Sequence, residues 1–111
     1  MYKDKTIGVV IPCYNEETQI GKVIETMPDF VDKIVVVNDC STDGTIGVVE
    51  LFMEKEPKVI LIKHEKNQGV GGAIATGYEW ARDNDIDVAV VMAGDGQMDP
   101  KDLPLILDPV V

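Results

Sequence analysis

No apolar run in this 111-residue sequence approaches the roughly 20 residues that cross a bilayer, so nothing in it reads as a membrane-spanning helix. The opening Met-Tyr-Lys-Asp-Lys precedes an apolar stretch that ends at Pro12, too short for a secretory signal, and the cytoplasm is the expected compartment. Cysteine is scarce. Cys13 and Cys40 are too few and too far apart for a zinc pattern, and two such thiols are expected to stay reduced. Positive charge is also short: 10 Lys and Arg stand against 20 Asp and Glu, a formal net charge of -10. Such a field repels phosphates and excludes a nucleic-acid surface, so a phosphorylated ligand needs local help from a bound cation or from backbone N–H groups at helix starts. Low-complexity stretches, internal repeats and linkers are missing too. Residues 1–111 therefore read as one domain, large enough to bury a core.

What the sequence does have is four short Val/Ile-rich runs, at 7–11, 34–37, 59–62 and 88–92. They do not alternate with polar residues, which is how strands covered on both faces of a parallel sheet read. Helical spacing fills the gaps. Ile20, Val23, Ile24 and Met27 form one stripe, with Asn15 or Thr18 as candidate caps and Pro28 as the stop. A second helix is expected over about 43–55, burying Ile46, Val49 and Met53 and ending before Pro57. A third, over about 69–83, carries Gly71, Gly72, Ala73, Ala75 and Gly77, small residues that let a helix lie close to a sheet. The order β-α-β-α-β-α-β with right-handed crossovers predicts an α/β fold, an open and mostly parallel Rossmann-like sheet with flanking helices. Beyond residue 100 one or two helical turns are expected around 103–107, and the apolar finish Pro109-Val110-Val111 suits a chain cut from something longer.

Ligands of open parallel sheets bind beyond the carboxyl ends of the strands, so the segments following each run carry most weight. They are Pro12 to Glu17, Asn38 to Thr45, His64 to Gly69 and Ala93 to Pro100. Taken singly, Tyr14-Asn15-Glu16 reads equally as a turn, Ser41 to Gly44 as a turn and helix cap, and His64 as a solvated strand-end residue. The Gly69-Val70-Gly71-Gly72 cluster follows the third strand, not the first as a dinucleotide fingerprint requires. Tyr78 stands where a P-loop needs Lys. Asp95-Gly96-Gln97 is the most informative piece: a carboxylate on a glycine-flanked turn at a strand end can reach a hard cation, with the Gln97 amide oxygen beside it. Oxygen ligands suit Mg²⁺ or Mn²⁺. A plain Asp-Gly turn is the alternative.

Together the four segments resemble a known family. Val10 to Glu17 is similar to the opening "V-I-P-x-Y-N-E" of family 2 glycosyltransferases, and Val37 to Thr45 to their "V-D-D-x-S-x-D-G-T". Asn67 to Ala73 resembles "N-x-G-x-G-x-A", and Asp95 to Pro100 the end of "D-A-D-G-Q-x-D-P". Order and spacing agree along nearly the whole chain, nearest to the polyprenyl- and dolichyl-phosphate mannose or glucose synthase branch. The resemblance implies the N-terminal half of a GT-A fold and a transferase that moves sugar from a UDP- or GDP-sugar to an acceptor such as a polyprenyl phosphate. It implies that Pro12, Tyr14 and Glu16 line the base and ribose pocket, that Asp39 bonds the nucleobase, and that Asn67 and Gly69 approach the nucleotide. Asp95 and Gln97 are implied to hold the Mg²⁺ or Mn²⁺ that bridges the diphosphate.

Three departures shape the expectation. Ala93 replaces the first aspartate of the metal motif, and Asn38 replaces the first Asp of the second motif. The chain is also about half the family's length, so the acceptor half and the catalytic base are expected beyond residue 111. Two rivals differ in class. Asp43-Gly44-Thr45 matches part of an aspartyl phosphatase motif, but Ser41 stands where the nucleophilic carboxylate belongs. The other is a non-catalytic half-domain that binds nucleotide-sugar or forms a homodimer through an exposed parallel edge.

Overall fold

The computed structural model describes residues 4–92. In chain order it holds β1 (Ile7–Cys13), α1 (Ile20–Glu25), β2 (Lys33–Asn38), α2 (Thr45–Lys55), β3 (Val59–Lys63), α3 (Gly69–Asp83) and β4 (Val88–Val91). The strands pair in parallel in the order β3-β2-β1-β4, so the expected open parallel sheet is present and each strand lies within a residue or two of its expected bounds. The sheet grows in one direction through β2 and β3, then α3 carries the chain back past β1 to β4. That reversal places a switch point between β1 and β4.

Because side chains alternate along a strand, β1 and β2 feed two separate cores. Ile7, Val9, Ile11, Cys13, Ile34 and Val36 pack with Ile20, Val23 and Ile24 of α1 and Val49 of α2. Val10, Val35 and Val37 face Ala73 of α3, with Trp80 and Val91 at the margin. Full burial of each Val or Ile contributes roughly 1.5–3 kcal/mol, which is why strands apolar on both faces settle at the centre of the sheet.

Two helices differ from expectation. In α1 neither Asn15 nor Thr18 caps the start: Gln19 precedes the helix without a side-chain cap bond, and the helix stops after six residues at Glu25, ahead of Pro28. Pro28 disfavours helical backbone just before it, while Met27 still reaches the core at 7% exposure. In α2 the buried positions are Thr45 and Val49, with Val48 and Phe52 packed against the core. Ile46 and Met53 do not share that face, and Met53 is 39% exposed. The stripe 45-48-49-52 has ideal helical spacing, and Phe52 supplies more apolar surface than Met53 in the position nearest α1. The third helix spans the expected residues. Its sheet-facing side is Ala73, Gly77 and Ala81, whereas Gly71 looks into open space.

Pro12 has a topological consequence. In β1 the even-numbered residues turn their backbone groups toward β4, as the bond from Met92 N–H to Val10 C=O at 2.9 Å shows. Pro12 has no N–H to offer on that side, and among the described residues the β1–β4 ladder runs as far as Val10 with Val91. Along β2, β1 runs on to Cys13, and the carboxyl ends of parallel strands are where ligands enter open α/β sheets.

Candidate functional site

The loops after β1 and β2 are sewn together by side-chain bonds to backbone. Asn15 and Cys40, the residues that begin the turns, both adopt left-handed backbone, with φ of 54° and 63°. Asn15 Oδ1 accepts from Thr42 N–H at 2.8 Å, and Asn15 N–H donates to Ser41 Oγ at 3.0 Å. Glu16 N–H donates to Thr45 Oγ1 at 2.9 Å, and Gly44 N–H to Glu17 Oε1 at 2.7 Å. Thr45 is fully buried, yet its hydroxyl is satisfied, because it also donates to Asp43 Oδ1. That hydroxyl bond and backbone N–H groups hold the Asp43 carboxyl below its usual range. The segment that reads as a turn and cap in isolation thus has a second task, bracing the loop that carries Tyr14 and Glu16.

Asp39 closes the other side. It is 4% exposed at the end of β2. Its Oδ1 accepts from Gln68 N–H at 2.7 Å and bonds His64 Nδ1 at 2.9 Å, while Oδ2 accepts from Gly69 N–H at 2.8 Å. Burial pushes this carboxyl up, but the bonds from Gln68, His64 and Gly69 outweigh it and hold it below the ordinary carboxylate range. An ionised carboxylate offers roughly four acceptor positions, and the bonds from Gln68, His64 and Gly69 take three of those on Asp39, leaving one on Oδ2. Two N–H groups at the start of α3 are occupied by Asp39 itself. The glycine-rich start of α3 is therefore not free to cradle a diphosphate with those amides, which leaves that charge to other groups.

The sequence-derived residues fall as follows. Pro12 is half-buried near the end of β1, Tyr14 just beyond it is 51% exposed, and Glu16 is half-buried. Asn67 is exposed and its Oδ1 accepts from Gly69 N–H at 3.1 Å. Gly69 has φ +75°, a conformation suited to glycine. Asp39 and Gly69 are in direct contact, and Asp39 N–H bonds the C=O of Cys13, the residue before Tyr14, at 2.9 Å. Three of the four strand-end segments thus share one rim. Asp95 and Gln97 lie outside the described residues, as do the turns expected around 103–107. Among the described residues no group of three or more His, Cys, Asp and Glu side chains could hold a metal.

His64 is a correction. It is not a solvated strand-end residue: its side chain is 5% exposed, with Nδ1 on Asp39 and Nε2 on Thr76 Oγ1 at 2.8 Å. Flanking Lys63 and Lys66 suggest solvent, but a β-strand turns neighbours to opposite sides, and α3 covers the His64 side. Thr76, a polar residue between Ala73 and Gly77 on the buried flank of α3, is the signal in the sequence that a polar partner lies beneath that helix. Cys13 and Cys40 are free. Burial, with Glu16 and Asp43 nearby, pushes the Cys13 thiol up to about 12, and Cys40 Sγ donates to the His64 carbonyl at 3.3 Å.

A parallel sheet with its switch point between β1 and β4, and strand-end loops braced into one rim, is an α/β fold of the GT-A type. The sequence matches the family model Glycosyl transferase family 2 over residues 8–111, and the chain belongs to that family. It is 36% identical over 121 residues to a UDP-N-acetylglucosamine–dolichyl-phosphate N-acetylglucosaminyltransferase of Methanococcus voltae, covering 97% of this chain and 48% of that protein. It is 32% identical over 105 residues to an undecaprenyl-phosphate mannosyltransferase of Micrococcus luteus, covering 91% and 42% respectively. Among solved structures it is similar to a mannosyltransferase from Pyrobaculum calidifontis in complex with GDP-Man and Mn2+, with TM-score 0.72 and 25% identity, covering 85% of this chain and 28% of that one. The chain spans about half the length, or less, of the curated relatives it matches. No helix among the described residues is long and apolar enough to cross a membrane.

Proposed function

We propose that this chain is the donor-binding part of a glycosyltransferase that moves a sugar from a UDP- or GDP-sugar to a polyprenyl-type lipid phosphate. The observation that carries the reading is the rim itself: Asp39 clamped to Gly69 at the end of β2, with the exposed Tyr14 following Cys13, whose carbonyl accepts from Asp39 N–H. Pro12, Tyr14 and Glu16 form the wall for base and ribose, Asp39 presents its remaining Oδ2 acceptor position, and Asn67 and Gly69 approach the nucleotide from the β3 side. The lipid-phosphate acceptor is supported by the names of the relatives. A lipid phosphate is already ionised, so attack at the anomeric carbon makes little demand on a general base.

The described carboxylates do not suit a metal: Asp39 and Asp43 already accept N–H or O–H donors. Asp95 and Gln97 are the oxygen donors of the kind Mg²⁺ or Mn²⁺ takes, and they would hold the ion, with Ala93 leaving one carboxylate fewer. There the ion would supply positive charge against the negative charge that grows on the departing diphosphate. In a chain of net charge -10 a local cation is what lets a diphosphate approach at all.

Calorimetric titration with UDP- and GDP-sugars, with and without Mn²⁺ or Mg²⁺, tests the proposal. Metal-dependent binding of one donor class is expected, weakened about tenfold or more by Tyr14→Ala and far less by Tyr14→Phe, since base–aromatic stacking contributes about 1–3 kcal/mol. Absence of binding to either class sinks the reading.

A further inference from the structure

His64 is held at every polar atom it has. Its N–H donates to Asn38 C=O at 2.9 Å, and its C=O accepts from Cys40 Sγ at 3.3 Å. Its ring joins Asp39 Oδ1 at 2.9 Å to Thr76 Oγ1 at 2.8 Å. Asp39, ionised and acceptor-only, requires a proton on Nδ1. On the far side the Thr76 hydroxyl stands between Nε2 and the Gly72 carbonyl, 3.0 Å away, so it can give its proton to either one. The imidazole therefore links the end of β2 to the second turn of α3 through a bond chain with no solvent-exposed member.

From this geometry we infer that His64 is a positioning residue for the nucleotide-sugar donor. It fixes the rotation of the Asp39 carboxylate, so that Oδ1 stays with the ring and Gln68 N–H while Oδ2 stays with Gly69 N–H and keeps its last acceptor position in a fixed direction. Without the ring, Asp39 retains only the two backbone donors, both from one short loop that includes a residue at φ +75°. Carboxylate and loop then shift together. Thr76 holds the ring's outer edge and serves the same end one step further away.

The inference rests on the donor-binding reading above, and the experiment separates the two. In the protein as naturally expressed, His64→Asn keeps an N–H donor where Nδ1 stood, His64→Gln keeps one near Nε2, His64→Ala keeps neither, and Thr76→Val removes the hydroxyl at nearly constant shape. Donor KM, acceptor KM and kcat are measured below the melting temperature of each variant, alongside binding of UDP and GDP with Mn²⁺. Donor KM is expected to rise about tenfold in His64→Ala and His64→Gln, by about threefold in Thr76→Val, and to stay within about twofold in His64→Asn. Acceptor KM and kcat are expected to hold within about twofold throughout. A parental donor KM in His64→Ala, or losses that fall equally on kcat and fail to recover in His64→Asn, overturn the positioning role. If His64→Ala does not fold, the contrast between His64→Asn and Thr76→Val decides, and equal donor KM in both overturns it. A parent protein that binds neither UDP nor GDP refutes the donor reading itself and removes this inference with it.

Discussion

Gly77 of α3 lies directly on Val10 of β1, so close that a Cβ there would overlap Val10 Cγ1 and sit 2.9 Å from Cγ2. Val10 belongs to the strand next to the switch point and is fully buried, so it cannot yield. Gly77→Ala is therefore expected to destabilise the fold by about 1–3 kcal/mol although alanine is the better helix former. Gly71→Ala, in the same helix with nothing near its would-be Cβ, should instead stabilise by about 0.4–1 kcal/mol. Urea unfolding of both variants checks the pair, and matching signs contradict the packing described.

The left-handed Asn15 joins the first two strand-end loops, and its two contributions can be separated. Asn15→Gly keeps the backbone freedom but loses the bond to Thr42 N–H at 2.8 Å, whereas Asn15→Ala loses both. Asn15→Gly is expected to cost about 1 kcal/mol, and Asn15→Ala about 1–2 kcal/mol more. Thermal melts rank the three proteins, and an alanine variant as stable as the parent refutes the bracing role.

Acid should loosen this domain through a definite set of groups. Asp39 and Asp43 have depressed carboxyls, as does Asp87, through bonds from Thr6. A carboxyl whose folded value lies below its unfolded value contributes stability that is present above about pH 4 and lost as pH falls through the folded value. Melting temperature is expected to fall steadily from about pH 5 to pH 2, and Asp39→Asn should flatten part of that slope while lowering stability at neutral pH. A melting temperature flat over that range would rule out these three carboxyls as the source.

Much of the fold was legible in the sequence because its signals are local. Runs such as Val35 to Val37 lack polar alternation, and that happens where both faces of a strand are covered. The bounds of α3 followed from spacing and from the turn residues around it. The rim could be foreseen as a set of segments, since parallel strands place all their carboxyl ends on one edge. The face of α2 was not legible: Ile46 with Met53 and Val48 with Phe52 are both plausible stripes, and only the position of α1 against the helix selects the second.

By itself the sequence determined the strands, their order of appearance, the family and the candidate contacts Tyr14, Asp39 and Gly69, because each depends on residue type and short-range spacing. Tertiary structure alone decided what Asn15, Asp43 and His64 do. Their partners lie 26 positions away for Asn15 with Ser41 and 25 for His64 with Asp39, and a side chain of a few ångströms finds such a partner only after packing has brought the two loops together. Composition marks these residues as turn formers or solvated polar groups; burial turns the same atoms into donors and acceptors that must be satisfied, and the rim acquires its shape from that requirement.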